Sequence, residues 1–261
     1  MLRGFIIAGL VALGILFALC AGVVAWVKFS GFDGADIAKM MIPTPNREEL
    51  YPDAPPMPAK VAATAEELLA EYEAFLTAEA PAALAALQPG LDDVAIERLE
   101  TEHAFRLPDD LRALYRWRNG AKEGAGPHAF ADGRFLPLEA AIEQRRVFKA
   151  QMEEVVKENP KLTDTFEGWL SHRYPWIAVI ADEAGDGMFF DPTRKADEGA
   201  VFHCFAEDGY VFYPSWTNYL AQQVELAKGK LLQNGQLGVE FTEKRYAEAD
   251  AVQRRFGAPA Q

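Results

Sequence analysis

Four acidic residues have the types and spacing that best fit a binding site: Asp182, Glu183, Asp186 and Asp191. They belong to the window 182–208, which holds eight acidic residues and two basic ones. Carboxylates grouped on turns at one edge of a sheet would attract a basic protein partner and speed its association. Oxygen ligands of this kind also suit a divalent cation. The alternative is that these residues only shape the turns, with Asp191 accepting hydrogen bonds from neighbouring backbone amides.

The motifs that mark metal sites and common active sites are missing from the sequence. The acidic window lacks the spacing and the terminal glutamate of an EF-hand loop. None of the four histidines belongs to an HExxH pattern, and Cys204 has no CxxC companion. No GxSxG, Walker or GxGxxG motif occurs. We therefore predict no metal, no cofactor and no catalytic residue, and the alternative is a hydrolase with an unrecognised site.

The acidic residues are expected to lie on a small antiparallel sheet. Four short apolar runs are rich in the residues that favour strands, and a few turn residues link the first run to the second and the third to the fourth. The predicted strands are 176–181, 187–191, 200–205 and 210–213. Alternation places His203 and Cys204, and likewise Phe189 and Phe190, on opposite faces. The aromatic residues of these strands are expected to form core, or a binding surface if one face of the sheet is open.

Helical patterns surround this sheet and predict an α+β fold. Thr64 and Glu67 have capping-box spacing, and Asp92 and Ser215 are placed to cap two further helices. A helix within 105–120 is expected to end at Asn119-Gly120, a left-handed stop signal. The helix that Ser215 caps is predicted at 215–232. Other helices are predicted at 81–87, 139–158, 163–170 and 242–256.

The amino-terminal region has the composition of a membrane anchor. Residues 5–27 contain no charge, and as a helix they would span about 34 Å at 1.5 Å per residue. A cleaved signal peptide is the alternative, although its apolar region is usually shorter. Residues 28–62 hold six prolines, which favour an extended, semi-rigid linker. The basic residues on the two sides of the segment are too few for the positive-inside rule to decide its orientation.

The net charge of −13 is confined to the middle of the chain. Residues 61–235 carry 17 basic and 30 acidic residues, whereas acidic and basic residues balance in 1–60 and in 236–261. Such a domain repels nucleic acid and anionic lipid headgroups and favours basic partners. The alternative is that a net charge of this size only keeps the protein soluble.

The order of these signals resembles the SUKH superfamily, which includes bacterial toxin-immunity proteins and a fungal regulator of cell-wall synthesis. The matching residues are Leu107-Pro108, Asn119-Gly120, Phe135-Leu136-Pro137-Leu138, Trp176-Ile177-Ala178-Val179, Gly185-Asp186, Asp191, Ala200-Val201 and Ser215. The resemblance covers roughly 91–227. It implies an α+β domain that acts by binding a protein, typically a toxin domain in bacterial relatives.

We therefore predict a single-pass membrane segment at 5–27, a linker at 28–62, an acidic SUKH-like α+β domain at 63–235 and a tail at 236–261 that is a candidate helix. The predicted function is non-enzymatic binding of a protein partner such as a basic toxin domain, with no nucleic-acid binding. A membrane-anchored scaffold or regulator of envelope or cell-wall assembly is the alternative. The side of the membrane is undetermined by the sequence, with the cytoplasmic side favoured.

Overall fold

The centre of the fold is a six-stranded antiparallel sheet. The computed structural model describes residues 55–124, 126–158, 176–182, 186–194, 200–205, 209–233, 236–237 and 242–260, and side chains for most of these. The sheet has the order β10-β7-β6-β5-β4-β3. Its strands are β3 (Arg134–Phe135), β4 (Ile177–Ala181), β5 (Gly187–Phe190), β6 (Val201–Phe205), β7 (Gly209–Tyr213) and β10 (Ala258–Ala260). The predicted meander is confirmed as β4 to β7, paired antiparallel throughout.

Two short pairs of strands and seven helices complete the described part of the chain. The small pairs are β1 (Leu87–Pro89) with β2 (Arg118–Ala121), and β8 (Leu232–Gln233) with β9 (Gln236–Leu237). The helices are α1 (Ala65–Glu79), α2 (Pro81–Ala86), α3 (Asp93–Glu102), α4 (Asp109–Trp117), α5 (Leu138–Glu158), α6 (Trp216–Lys228) and α7 (Glu243–Phe256). The α+β class, with helices packed on an antiparallel sheet, is therefore confirmed.

Helix α1 begins as its capping box predicts. The Thr64 hydroxyl accepts a hydrogen bond from the backbone amide of Glu67, whose carboxylate in turn accepts from the amide of Thr64 at 2.8 Å. The apolar face of the helix is buried, with Tyr72 and Leu76 fully inaccessible. The Tyr72 hydroxyl donates to the carbonyl of Ala129 at 2.6 Å. The helix is therefore an integral part of the core.

The chain around Asn119-Gly120 differs from the prediction. Helix α4 ends at Trp117, and the two residues lie in strand β2 instead of closing the helix. Gly120 does adopt the left-handed conformation, with φ of 71°. A tertiary contact also requires a glycine here, because a Cβ at this position would lie 2.1 Å from the backbone nitrogen of Pro137. Further along, Phe130 and Gly133 form an isolated antiparallel bridge.

Helix α6 lies on the sheet and against α1. The Ser215 hydroxyl caps it by accepting from the amide of Asn218. The apolar residues Trp216, Tyr219, Leu220 and Val224 of this helix are all buried. The amide and hydroxyl of Thr217 both donate to the Asp110 carboxylate, at 3.1 and 3.2 Å. This contact joins the first turn of α4 to the first turn of α6.

The carboxyl-terminal residues return to the sheet. After α7, strand β10 pairs antiparallel with β7, with Ala258 opposite Phe212 and Pro259 opposite Val211. The edge position explains how a strand can contain a proline, because an edge strand needs ladder hydrogen bonds on one side only.

No helix within the described residues, which begin at 55, is long and apolar enough to cross a membrane. The predicted membrane segment 5–27 and the predicted helix 163–170 lie outside the described residues.

Candidate functional site

Two of the four predicted site residues come together at the turn between β4 and β5. The backbone amide of Asp182 donates to the carbonyl of Asp186, and the amide of Asp186 donates to Oδ1 of Asp182, both at 2.9 Å. Asp182 is exposed and Asp186 is half-buried. Glu183, between them, lies outside the described residues. These bonds therefore hold the two acidic residues together at one end of the sheet and orient the Asp182 carboxylate.

The strand that leaves this turn depends on Gly187. Its φ is +148°, and an added Cβ would lie 2.1 Å from the carbonyl oxygen of Ile180. The register between β4 and β5 shifts between Ala178 and Ile180, which brings the two backbones close together. A glycine is therefore required directly after Asp186.

A cavity of about 490 Å³ adjoins the Asp182 side of the turn. Its polar lining comes from His128, Arg134, Gln144 and Asp182. Arg134 starts β3, opposite Ala181 of β4, so the sheet register places its backbone beside the turn. The acidic turn is therefore bordered by a histidine and an arginine.

Asp191 does not join the other acidic residues, and the expectation of a single acidic edge was wrong for it. Asp186 precedes β5 and Asp191 follows it, so the two residues lie about 16 Å apart at about 3.3 Å per strand residue. Asp191 is fully buried. Among the described residues, no group of three or more His, Cys, Asp or Glu side chains is placed to hold a metal ion.

The Asp191 carboxylate organises the turn after β5. Its Oδ1 accepts from the amide and the hydroxyl of Thr193 at 2.9 and 2.6 Å, and its Oδ2 accepts from Nε of Arg194 at 3.1 Å. Burial raises the pKa of Asp191, although the Thr193 hydrogen bonds and the Arg194 charge oppose that rise. The turn-forming role considered for Asp191 in the sequence is thus the one the structure gives it.

A groove at this end of the sheet brings several of the sequence motifs together. It is lined by residues from Leu107-Pro108, from Ala200-Val201 and from Ser215, together with Phe190, Pro192 and Arg194 around Asp191. These residues are up to about 110 positions apart in the chain and meet at the first turns of α4 and α6. Arg194 was not identified from the sequence. The only indication was its position three residues after Asp191, between two predicted strands.

A buried polar group centred on Asp132 was also missed. Tyr219 donates to Oδ2 of Asp132 at 2.6 Å, Gln223 donates to the same oxygen at 3.2 Å, and Nδ1 of His203 lies 3.6 Å from Oδ1. Burial, with a further contribution from the Asp132 charge, raises the pKa of Tyr219 well above its usual value. Tyr219 therefore stays protonated and donates. Asp132 lies in a Gly-rich loop with no local pattern that indicates its burial.

The second face of the sheet carries an aromatic cluster. Trp176, Phe202, Cys204 and Phe212 are buried there, while Phe189 and Tyr210 are partly buried. Phe189 stacks on Phe202 with ring centroids 5.7 Å apart. The first four side chains are thus inaccessible as anchors on an open face.

Comparison with known proteins identifies the family. No curated protein matches the chain. The model of the SMI1 / KNR4 family (SUKH-1) matches residues 90–222, just over half of the chain. This span includes α4, the meander, Asp182 and Asp186 of the β4–β5 turn, Asp191 and the amino-terminal half of α6. The chain is a member of the SMI1 / KNR4 family (SUKH-1).

Proposed function

We propose that this protein is a non-enzymatic, membrane-tethered binding protein of the toxin-immunity type, whose partner is a basic protein domain. The observation that carries the proposal is the family membership of a domain that presents Asp182 and Asp186 on a fixed turn. Residues 61–235 also carry the whole acidic imbalance of the chain. An acidic field of this kind speeds encounter with a basic surface.

The turn geometry supports a role in recognition. Because Oδ1 of Asp182 accepts from the backbone amide of Asp186, the Asp182 carboxylate loses little conformational freedom when a partner binds. An exposed, oriented carboxylate with a second acidic residue beside it adds both association rate and specificity. These properties fit a binding surface for lysine and arginine side chains.

Tethering follows from the amino-terminal sequence. Residues 5–27 are apolar and long enough to span a bilayer, and the proline-rich segment 28–62 would hold the domain away from the lipid surface. A membrane-anchored regulator of envelope or cell-wall assembly is the second candidate, favoured by the same segment. The two candidates differ in whether the partner is a soluble basic protein or a component of the envelope.

Affinity capture from cells of the native organism tests the proposal. The full-length chain, in detergent, serves as bait at low and at moderate salt. The matched variants are Asp182→Asn/Asp186→Asn, which keeps the turn acceptor, and Glu79→Gln/Glu243→Gln, which removes two exposed charges elsewhere. Immunity-type binding predicts a stoichiometric basic partner that moderate salt releases and that only the first variant loses.

Recovery of envelope proteins by the anchored chain, with no soluble basic partner, would move the assignment to the regulator. Turnover of a substrate that is abolished by neutralising one or two carboxylates would contradict both binding functions.

A further inference from the structure

Two buried hydrogen-bond donors line the groove at the Asp191 end of the sheet without a hydrogen-bond partner among the described residues. They are Nη1 of Arg194, whose side chain is 6% exposed, and Nε1 of Trp216, which is fully buried. Both residues line the same cavity of about 490 Å³. Buried donors are almost always satisfied in proteins, because an unsatisfied one keeps its full desolvation penalty. Among the described residues of the groove, these two donors therefore lack an acceptor.

Two further cations stand at the rim of this groove, Lys60 and Arg106, and both are exposed. Asn218, fully buried in α6, fixes the backbone on either side of Lys60. Its Oδ1 accepts from the amide of Val61 at 3.3 Å, and its Nδ2 donates to the carbonyl of Ala59 at 3.0 Å. The lysine is thus held at the groove by the fold.

The acidic residues of the groove are largely engaged with other groups. The Asp110 carboxylate accepts from Thr217 at the start of α6, and Asp191 accepts from Thr193 and Arg194. Asp109 is exposed at the rim. Among the rim cations, Arg106 has its Nη1 3.8 Å from Oε2 of Glu100. Lys60 and the two unpartnered donors therefore set the preference of the groove, although the protein as a whole is strongly acidic.

We propose that this groove is a carboxylate-binding site that takes an aspartate or glutamate side chain of a partner protein. A carboxylate has two oxygens, enough to supply one acceptor each to Nη1 of Arg194 and Nε1 of Trp216 once it reaches these buried atoms, and Lys60 and Arg106 at the rim add positive charge. Apolar walls from Leu107, Pro108 and Val201 suit the remainder of an extended peptide segment.

This site goes beyond the function proposed above, on which it depends only for the source of the carboxylate. The acidic turn and the groove lie at opposite ends of β5, so the two surfaces attract opposite charges. A partner that touches both would need a basic and an acidic region at matching separation. Testing the groove with small carboxylates separates failure of this site from failure of the toxin-immunity assignment.

The experiment records the indole ¹⁵N–¹H signals of the five tryptophans in the full-length chain. Sodium acetate is titrated against sodium chloride at equal ionic strength, and Trp216→Phe identifies the signal of Trp216. We expect acetate to move this signal saturably and chloride to leave it in place. Trp176 is the internal control, because its Nε1 is also buried without a described partner but lies on the other face of the sheet.

Peptides then test the source of the carboxylate. The capped peptide Ac-Gly-Gly-Glu-Gly-Gly-NH₂ should move the Trp216 signal at lower concentration than acetate, and its glutamine counterpart should bind at least tenfold more weakly. The double variant Lys60→Gln/Arg106→Gln should raise the Kd of the glutamate peptide about three- to tenfold. The control Lys244→Gln/Arg254→Gln removes two exposed cations from α7 and should leave the Kd unchanged.

A Trp216 signal that neither acetate nor the glutamate peptide moves, or that chloride moves equally, would overturn the site. Equal Kd values for the two double variants would do the same. Tighter binding of Ac-Gly₅ with a free carboxyl terminus than of the glutamate peptide would contradict the side-chain assignment in favour of a chain terminus.

Discussion

The Oδ1 atom of Asn119 accepts a hydrogen bond from the backbone amide of Leu138 at 2.9 Å. This contact connects strand β2 to the first residue of α5. The Nδ2 atom of the same side chain donates to Glu139 at 3.2 Å. Asn119 thus caps a helix that begins 19 residues later in the chain.

Replacing Asn119 tests this remote cap. Asn119→Ala removes the acceptor for the Leu138 amide, so we expect it to lower the free energy of unfolding by about 1–2 kcal/mol. The double variant Asn119→Asp/Glu139→Gln keeps the acceptor without placing two carboxylates in contact, and it should recover most of that loss. Urea unfolding followed by circular dichroism measures both variants, and equal losses for the two would refute the capping role.

A substitution at Gly120 tests the close approach of its backbone to Pro137. Gly120→Ala combines a left-handed backbone with an overlap onto Pro137, so we expect a loss of about 3 kcal/mol. Gly124 is the matched control, because its φ of +64° is similar but nothing lies within 4 Å of an added Cβ. Gly124→Ala should lose only about 1–2 kcal/mol, the backbone part. Indistinguishable losses for the two variants would mean that packing against Pro137 contributes nothing.

Helix α1 precedes the family match but belongs to the same core. Leu76 is fully buried, so Leu76→Ala should lower the free energy of unfolding by about 3 kcal/mol. Glu79→Ala, on the exposed face of the last turn, should change it by less than about 0.5 kcal/mol. If chemical denaturation shows no loss for Leu76→Ala, the helix is not part of the cooperative unit.

Asp191 gives a pH dependence with a defined sign. Because burial raises its pKa in the folded state, the folded protein binds this proton more tightly than the unfolded chain does. The resulting stabilisation is complete below the unfolded pKa of about 3.9 and is lost as pH rises through the folded pKa. Asp191→Asn cannot titrate, so the stability of the wild type minus that of the variant should fall over this window and then level off. Urea unfolding from acidic to neutral pH measures the difference, and a difference that grows with pH would show the opposite shift.

Short-range patterns in the sequence were sufficient to predict much of the fold. The capping box of Thr64 and Glu67 and the cap at Ser215 depend on contacts three residues apart, which any sequence displays directly. The meander followed from apolar runs separated by turn residues. In contrast, the conformation of Gly120 and the β10 strand depend on Pro137 and β7, which are distant in sequence.

The candidate sites show the same division. The turn of Asp182 and Asp186 is local and was placed at the correct end of β4. The separation of Asp191 from Asp186 could also have been predicted, because the strand predicted between them places the two residues at its opposite ends. The groove was not predictable, since Lys60, Arg106, Arg194 and Trp216 meet only when α4, α6 and the sheet pack together.

In the proposed function, the acidic turn of Asp182 and Asp186 binds a basic protein partner. The most direct measurement is the Kd of the partner captured by the full-length chain, compared for the wild type, Asp182→Asn/Asp186→Asn and Glu79→Gln/Glu243→Gln. Both double variants lose the same charge, so a difference between them reports position rather than net charge. We predict that the Kd rises about tenfold, or about 1.4 kcal/mol, for the turn variant and less than about twofold for the control. Equal effects of the two variants, or no effect of either, would contradict the account.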